Sequence, residues 1–155
     1  MLSFDAAGHQ FDLRAAAVVL RRDQVLLHRL EGDSYWALPG GRVEPGEASQ
    51  DAIVRECLEE LGESVMCGEL IWVIENFFKA TKKHHEVGLY FLVEVSPSSR
   101  LLASEGPFFG AEGEKPLEFG WFNRKRLSEM DVRPSFLVSA LAQEHLRFQH
   151  VVHRE

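Results

Sequence analysis

Cysteine is scarce in this chain, with only Cys57 and Cys67 among 155 residues. Two thiols build no disulfide framework, so both read as reduced and structural. Neither His84 nor His85 has a Cys or His partner at ligand spacing, which excludes a zinc site. Positive charge is also in deficit, 17 Lys and Arg against 24 Asp and Glu, for a formal net charge of −7. Stable nucleic-acid binding by counterion release needs clustered Lys and Arg and is not expected. Long apolar runs are missing: Ala15 to Leu20 is far too short to span a bilayer. The N-terminus shows no basic segment followed by an apolar core and cleavage site. No membrane role is expected, and a cytoplasmic protein is the default. Repeats and linkers are lacking too, so residues 1–155 read as one domain with a single core.

What is present is concentrated. Hydrophobic content of 45% marks a folded globule, and one stretch, Gly41 to Glu63, reads GRVEPGEASQDAIVRECLEELGE. It spaces Gly41, Glu47, Arg55, Glu56, Glu59, Glu60 and Gly62 as G-x5-E-x7-R-E-x-x-E-E-x-G. On a helix of about 3.6 residues per turn, Glu56, Glu59 and Glu60 share one side. Val54, Cys57, Leu58 and Leu61 point roughly the other way and are expected to pack on the core. Like charges this close destabilise a helix by a few tenths of a kcal/mol per pair, so a counter-charge is expected. Oxygen-only ligands suit a hard divalent cation such as Mg2+ or Mn2+. The negative net charge agrees, because a polyanionic substrate nearing carboxylates needs cations between.

This stretch resembles the signature of the Nudix hydrolases, meeting every fixed position of the family's box. The departures, Cys57 and Glu63, fall where the family has a bulky apolar residue. Cys57 serves as a small hydrophobe, and Glu63, beyond the helix-ending Gly62, is expected to face water. Trp36-Ala37-Leu38-Pro39-Gly40 is similar to the strand and turn that precede the box. The resemblance implies a pyrophosphohydrolase with Glu56 and Glu60 as main Mg2+ ligands, Glu59 as ligand or base, and the Gly40 carbonyl as a further ligand. It also implies that Arg55 pairs with Glu47 to orient the cluster. Metal would lower the pKa of the attacking water and stabilise the leaving oxygen.

Elsewhere, Ala15 to Arg21 and Val25 to Leu30 read as a hairpin around Arg22-Asp23-Gln24. Tyr35 to Leu38 reads as a short strand, Glu47 to Leu61 as a helix stopped by Gly62. Leu70 to Phe78 and Val87 to Val95 read as strands around the basic turn Lys79 to Lys83. Ser96 to Pro116 reads as a long aperiodic loop, the kind often functional, and Leu117 to Asn123 as another strand. A second helix is expected near Pro134 with Leu137, Val138, Leu141 and Phe148 on one face. This order predicts an α/β fold with a mixed sheet flanked by helices, and the resemblance implies the Nudix α/β/α sandwich.

The general base stays open between Glu59 and a loop carboxylate, Glu105, Glu112 or Glu114. Glu112 stands first because Gly110 and Gly113 flank it. Glu86, after His84-His85, is a further candidate. Trp36 and Trp121 read as core. Among the other aromatics, Phe108 and Phe109 are the expected substrate contacts, since stacking on a nucleobase needs aromatic faces. The expected substrate is a small nucleotide, a nucleoside diphosphate linked to another group such as a nucleoside triphosphate or nucleotide sugar. The rival from another class is a non-catalytic Nudix-fold nucleotide-binding regulatory module, against which the intact carboxylates weigh. A homodimer stays open.

Overall fold

The computed structural model describes residues 1–155. Strands β1 (Ser3–Ala6), β2 (His9–Arg21) and β3 (Gln24–Leu30) come first, then β4 (Gly40–Arg42) and helix α1 (Ser49–Leu61). The long strands β5 (Val65–Lys79) and β6 (Lys83–Val95) form a hairpin. A helical turn, α2 (Arg100–Ala103), leads to β7 (Phe108–Glu112) and β8 (Lys115–Asn123). After a 3-10 turn at Leu127–Glu129 come α3 (Leu137–Leu141) and β9 (Gln149–Arg154). No helix is long and apolar enough to cross a membrane.

The strand order β7-β8-β3-β2-β6-β5-β9 is mixed, with β2 parallel to β6 and β5 parallel to β9. Ala15 to Val19 shows why β2 sits centrally. Ala15, Ala17 and Val19 join Ile53, Cys57 and Leu61 of α1 in one core, while Ala16 and Val18 join Trp72, Leu137 and Leu141 in the other. A strand covered on both faces needs an unbroken apolar run rather than alternation. The α/β class and flanked mixed sheet are as the sequence predicts.

The site exists because this sheet splits. Strands β2 and β3 pair only beside their turn, Leu20 with Val25 and Arg21 with Gln24. Beyond that turn β3 diverges from β2 while staying paired with β8 along its whole length, Gln24 to Leu30, and β4 lies instead against Arg14, Ala15 and Ala16. The connecting segment lies in the opened wedge. Ala37 exchanges backbone hydrogen bonds with His28 at 2.8 and 2.9 Å, and Ala17 N–H donates to the Pro39 carbonyl at 2.8 Å.

Five expectations need correction. Helix α1 starts at Ser49, leaving Glu47 in the preceding turn, although Gly62 ends it as expected in a left-handed conformation (φ 70°). Its buried side carries Ala52, Ile53, Cys57, Glu60 and Leu61, whereas Val54 and Leu58 are exposed. The carboxylate side and the core side therefore overlap at Glu60. Glu63 does not simply face water: it is largely covered and meets Arg100 Nε at 3.3 Å.

The long loop is not one either, since Phe108 to Glu112 forms an edge strand in a tight hairpin with β8, Glu112 opposite Lys115. Its glycine-rich sequence hid the alternation: Gly110 is where β7 runs against the Glu60 carbonyl, leaving no room for a Cβ. The C-terminal helix is only Leu137–Leu141, and the chain then forms β9 beside β5. Phe148 is accordingly exposed rather than on a helix face with Leu137.

Candidate active site

Two glycines let the box close on itself. Gly40 has φ 153°, and a Cβ there would strike the Ala15 carbonyl. A Cβ on Gly41 would occupy the Glu56 carboxyl. Strand β4 can therefore lie flat against β2 and receive Glu56 of α1 directly over its backbone.

Arg55 organises what surrounds that contact. Its Nε and Nη2 donate to the two Glu47 oxygens at 2.8 and 2.9 Å, and Nη1 donates to Glu56 at 2.8 Å. Nη1 also approaches Glu59 at 3.4 Å, and Nη2 donates to the Arg42 carbonyl at 3.2 Å. The hydrogen bond from Arg55 is the largest influence holding the Glu47 carboxyl below its usual range. Glu47 in turn is the main reason the Arg55 charge is strengthened.

Glu60 has no such counter-ion. Its side chain is 6% exposed. Burial first, then neighbouring Glu56 and Glu112, push its carboxyl well above the usual range, against the pull of Arg14. His28 Nδ1 lies 3.8 Å away, but burial and Arg14 drive the imidazole pKa down to about 3. A neutral His28 gives Glu60 no ion pair. Glu56, Glu59 and Glu60 thus present hard oxygen donors with an excess of negative charge, and that donor set fits a divalent cation. No three His, Cys, Asp or Glu side chains are already drawn together at metal-ligating distances.

Glu56, Glu59 and Glu60 line a cavity of about 340 Å³ with Ala111, Glu112 and Gly113. A second cleft, about 390 Å³, lies in the wedge between the split strands, and both Gly40 and Glu112 line it. Glu112 is thus the shared wall. The cleft floor is polar, with Arg14, His28, Asn76, Glu86 and Tyr90; Tyr35 and Phe78 are its aromatic surfaces. Burial pushes the Glu86 carboxyl up even though Arg14 pulls it down. Burial opposes the Arg14 charge, but Glu86, Tyr90, Glu60 and Glu112 outweigh it.

The structure therefore gathers Gly40, Glu47, Arg55, Glu56, Glu59, Glu60 and Glu112 around one region. It separates others. Glu105 is held by Arg21 Nη2 at 2.8 Å beside the β2–β3 turn, and Glu114 sits in the β7–β8 turn. Phe108 is a correction: alternation along β7 turns it into the core below α1, so it offers no face to a substrate. Phe109 points the other way, 66% exposed on an edge strand and outside both cavities. Sequence reasoning missed Arg14, His28 and Asn76. A signal was there for Asn76, which with Glu75 interrupts the apolar run from Leu70 to Phe78; Arg14 stands just before the apolar run of β2.

Comparisons with known proteins agree with this frame. Residues 11–136 match the model of the NUDIX domain. The "CTP pyrophosphohydrolase" of Escherichia coli (strain K12) is 38% identical over 60 residues, 36% of this chain and 44% of that protein. The "Nucleoside triphosphatase NudI" of Escherichia coli O1:K1 / APEC is 36% identical over 63 residues, 37% of this chain and 45% of that protein. The matched region thus spans less than half the length of these relatives. Among solved structures, a NUDIX hydrolase from Nitrosomonas europaea superposes with a TM-score of 0.66 at 19% identity, covering 93% of this chain and 79% of that one. With the box, its charge partners and the split sheet all in place across the matched span, the chain belongs to the NUDIX domain family.

Proposed function

We propose that this protein hydrolyses the diphosphate linkage of a nucleoside diphosphate joined to another group, a nucleoside triphosphate or nucleotide sugar, using Mg2+ or Mn2+. The observation that carries this reading is Glu112, which borders both the carboxylate cavity and the 390 Å³ cleft. A ligand spanning that wall would place a nucleoside in the cleft and its diphosphate beside Glu56, Glu59 and Glu60. The polar floor and the faces of Tyr35 and Phe78 suit a flat, hydrogen-bonding base.

Glu56, Glu59 and Glu60, with the Gly40 carbonyl, would hold the cation. When bound it activates water and offsets charge on the leaving oxygen. Arg55 and Glu47 position Glu56 rather than touch substrate. Glu112 is the preferred base, able to take the proton of the attacking water. The similarity to a CTP pyrophosphohydrolase and a nucleoside triphosphatase of E. coli supports the reaction class.

The test is a phosphate-release screen over nucleoside triphosphates and nucleotide sugars, with Mg2+, with Mn2+ and with chelator. Cation-dependent release from some of them is the expected result. Tight binding without release in every arm identifies a nucleotide sensor instead.

A further inference from the structure

Asn76 is a buried polar residue with an unmet need. It is 6% exposed, it lines the 390 Å³ cleft, and its Oδ1 has no hydrogen-bond partner. A buried acceptor without a donor is costly to keep, and such groups call for an explanation. Packing supplies none, because Asn76 stands between Ile74 and Phe78 on its face of β5, where an apolar side chain would serve better.

Its polar neighbour across the β5–β6 pair is Glu86. The two residues are opposite one another in the β5–β6 register, and the Asn76 side chain favours the charged form of the Glu86 carboxylate. That requires Nδ2 toward Glu86; reversing the amide would set oxygen against oxygen. Oδ1 is then the atom left without a donor. Glu86 adds further acceptor oxygens beside it, with Arg14 as its counter-charge. The aromatic surfaces of the cleft are held as planes: Phe78 stacks on His84 at 4.5 Å, and Arg133 lies over the Tyr35 ring at 4.4 Å.

We propose that Asn76, with Glu86 beside it, reads the exocyclic amino group of a nucleobase, so that the cleft prefers adenine, cytosine or guanine nucleotides to uracil or hypoxanthine ones. This rests on the nucleotide reading above and narrows it. An amino group donates to Oδ1. A ring carbonyl in the same place sets acceptor against acceptor and leaves both unpaired, the situation in which polar sites discriminate most strongly.

The experiment is calorimetric binding of matched mononucleotides without metal: CMP against UMP, AMP against IMP, and GMP against IMP. The same ratios are then read as kcat/KM on the triphosphates with Mg2+. At least one amino nucleotide should be favoured by about tenfold or more, and Asn76→Leu, similar in volume, should bring that ratio near one. Equal treatment of every pair by the parent protein overturns the proposal without any variant. A preference that survives in a folded Asn76→Leu protein also overturns it. In both cases bound or cleaved nucleotides leave the hydrolase reading standing. If no nucleotide is bound or cleaved, both readings fall.

Discussion

Arg55 grips Glu47 with two prongs, Nε to Oε2 at 2.8 Å and Nη2 to Oε1 at 2.9 Å. A planar guanidinium matches a carboxylate in this way, and lysine cannot reproduce it. The third nitrogen holds Glu56 at 2.8 Å. One side chain therefore fixes the turn before α1 and a carboxylate on α1 together.

Glu47→Gln and Arg55→Lys should each lower kcat/KM, and the double variant should lose less than the sum. Residues in one network typically show coupling of about 0.5–3 kcal/mol. A double-variant cycle on kcat/KM measures it, and strictly additive losses would remove the positioning role.

Glu60→Gln should keep the fold, since the amide retains shape and relieves a carboxyl that burial already penalises. It should lose the response to metal. At a Mg2+ concentration about 100 times Kd, the parent protein gains about 2.7 kcal/mol of stability, visible as a rise in Tm. The variant should show little rise, and its activity should fall in parallel. An unchanged Mg2+ response would take Glu60 out of the ligand set.

Gly41→Ala tests the close approach of β4 to α1. The new Cβ would fall on the Glu56 carboxyl rather than on backbone, so a side-chain shift can relieve it. Activity should drop about tenfold or more while Tm changes by a few degrees. Gly40→Ala, whose Cβ meets the Ala15 backbone, should instead lose stability outright. Circular dichroism melts beside activity assays separate the two.

How legible this was depended on whether a feature is local. The box spacing carries Gly41, Arg55 and the glutamates directly, because a helix and two turns suffice to assemble them. The apolar run of β2 carries its double burial. What the sequence hides is which strand stands beside which. Glu105 and Glu112 look alike along the chain, yet β7 and its hairpin send one to Arg21 and the other to the cavity wall. Asn76 and Glu86 are ten residues apart in sequence and become neighbours only through the β5–β6 register. Phe108 and Phe109 are adjacent, and only the pairing of β7 decides which is core.

Tyr90 gives a pH test of the cleft floor. Burial first, then the Glu86 charge, hold its phenol well above the ordinary value of 10.0, against Arg14. Above that pH the unfolded chain gives up the phenol proton while the folded chain keeps it. Stability should therefore fall as pH rises past 10. In Tyr35→Phe, which leaves Tyr90 as the single tyrosine, tyrosinate absorbance should appear only together with unfolding. Smooth ionisation in the folded protein would place Tyr90 in contact with water.

The base can be located by comparing carboxylates that the fold has already sorted. Glu105 is held by Arg21 at 2.8 Å and Gln24 at 3.4 Å, and Glu114 lies in the hairpin turn. Neither borders the carboxylate cavity, so Glu105→Gln and Glu114→Gln should stay within a few-fold of the parent. Glu112 borders both cavities, and removing a positioned general base costs about 10²–10⁴-fold. Glu112→Gln should lose kcat on that scale at saturating Mg2+, with little change in Tm because its side chain is exposed. Glu59 is the competitor: it is 59% exposed and 3.4 Å from Arg55. If Glu59→Gln collapses kcat at saturating Mg2+ while Glu112→Gln does not, the base sits on α1 and Glu112 only walls the cleft.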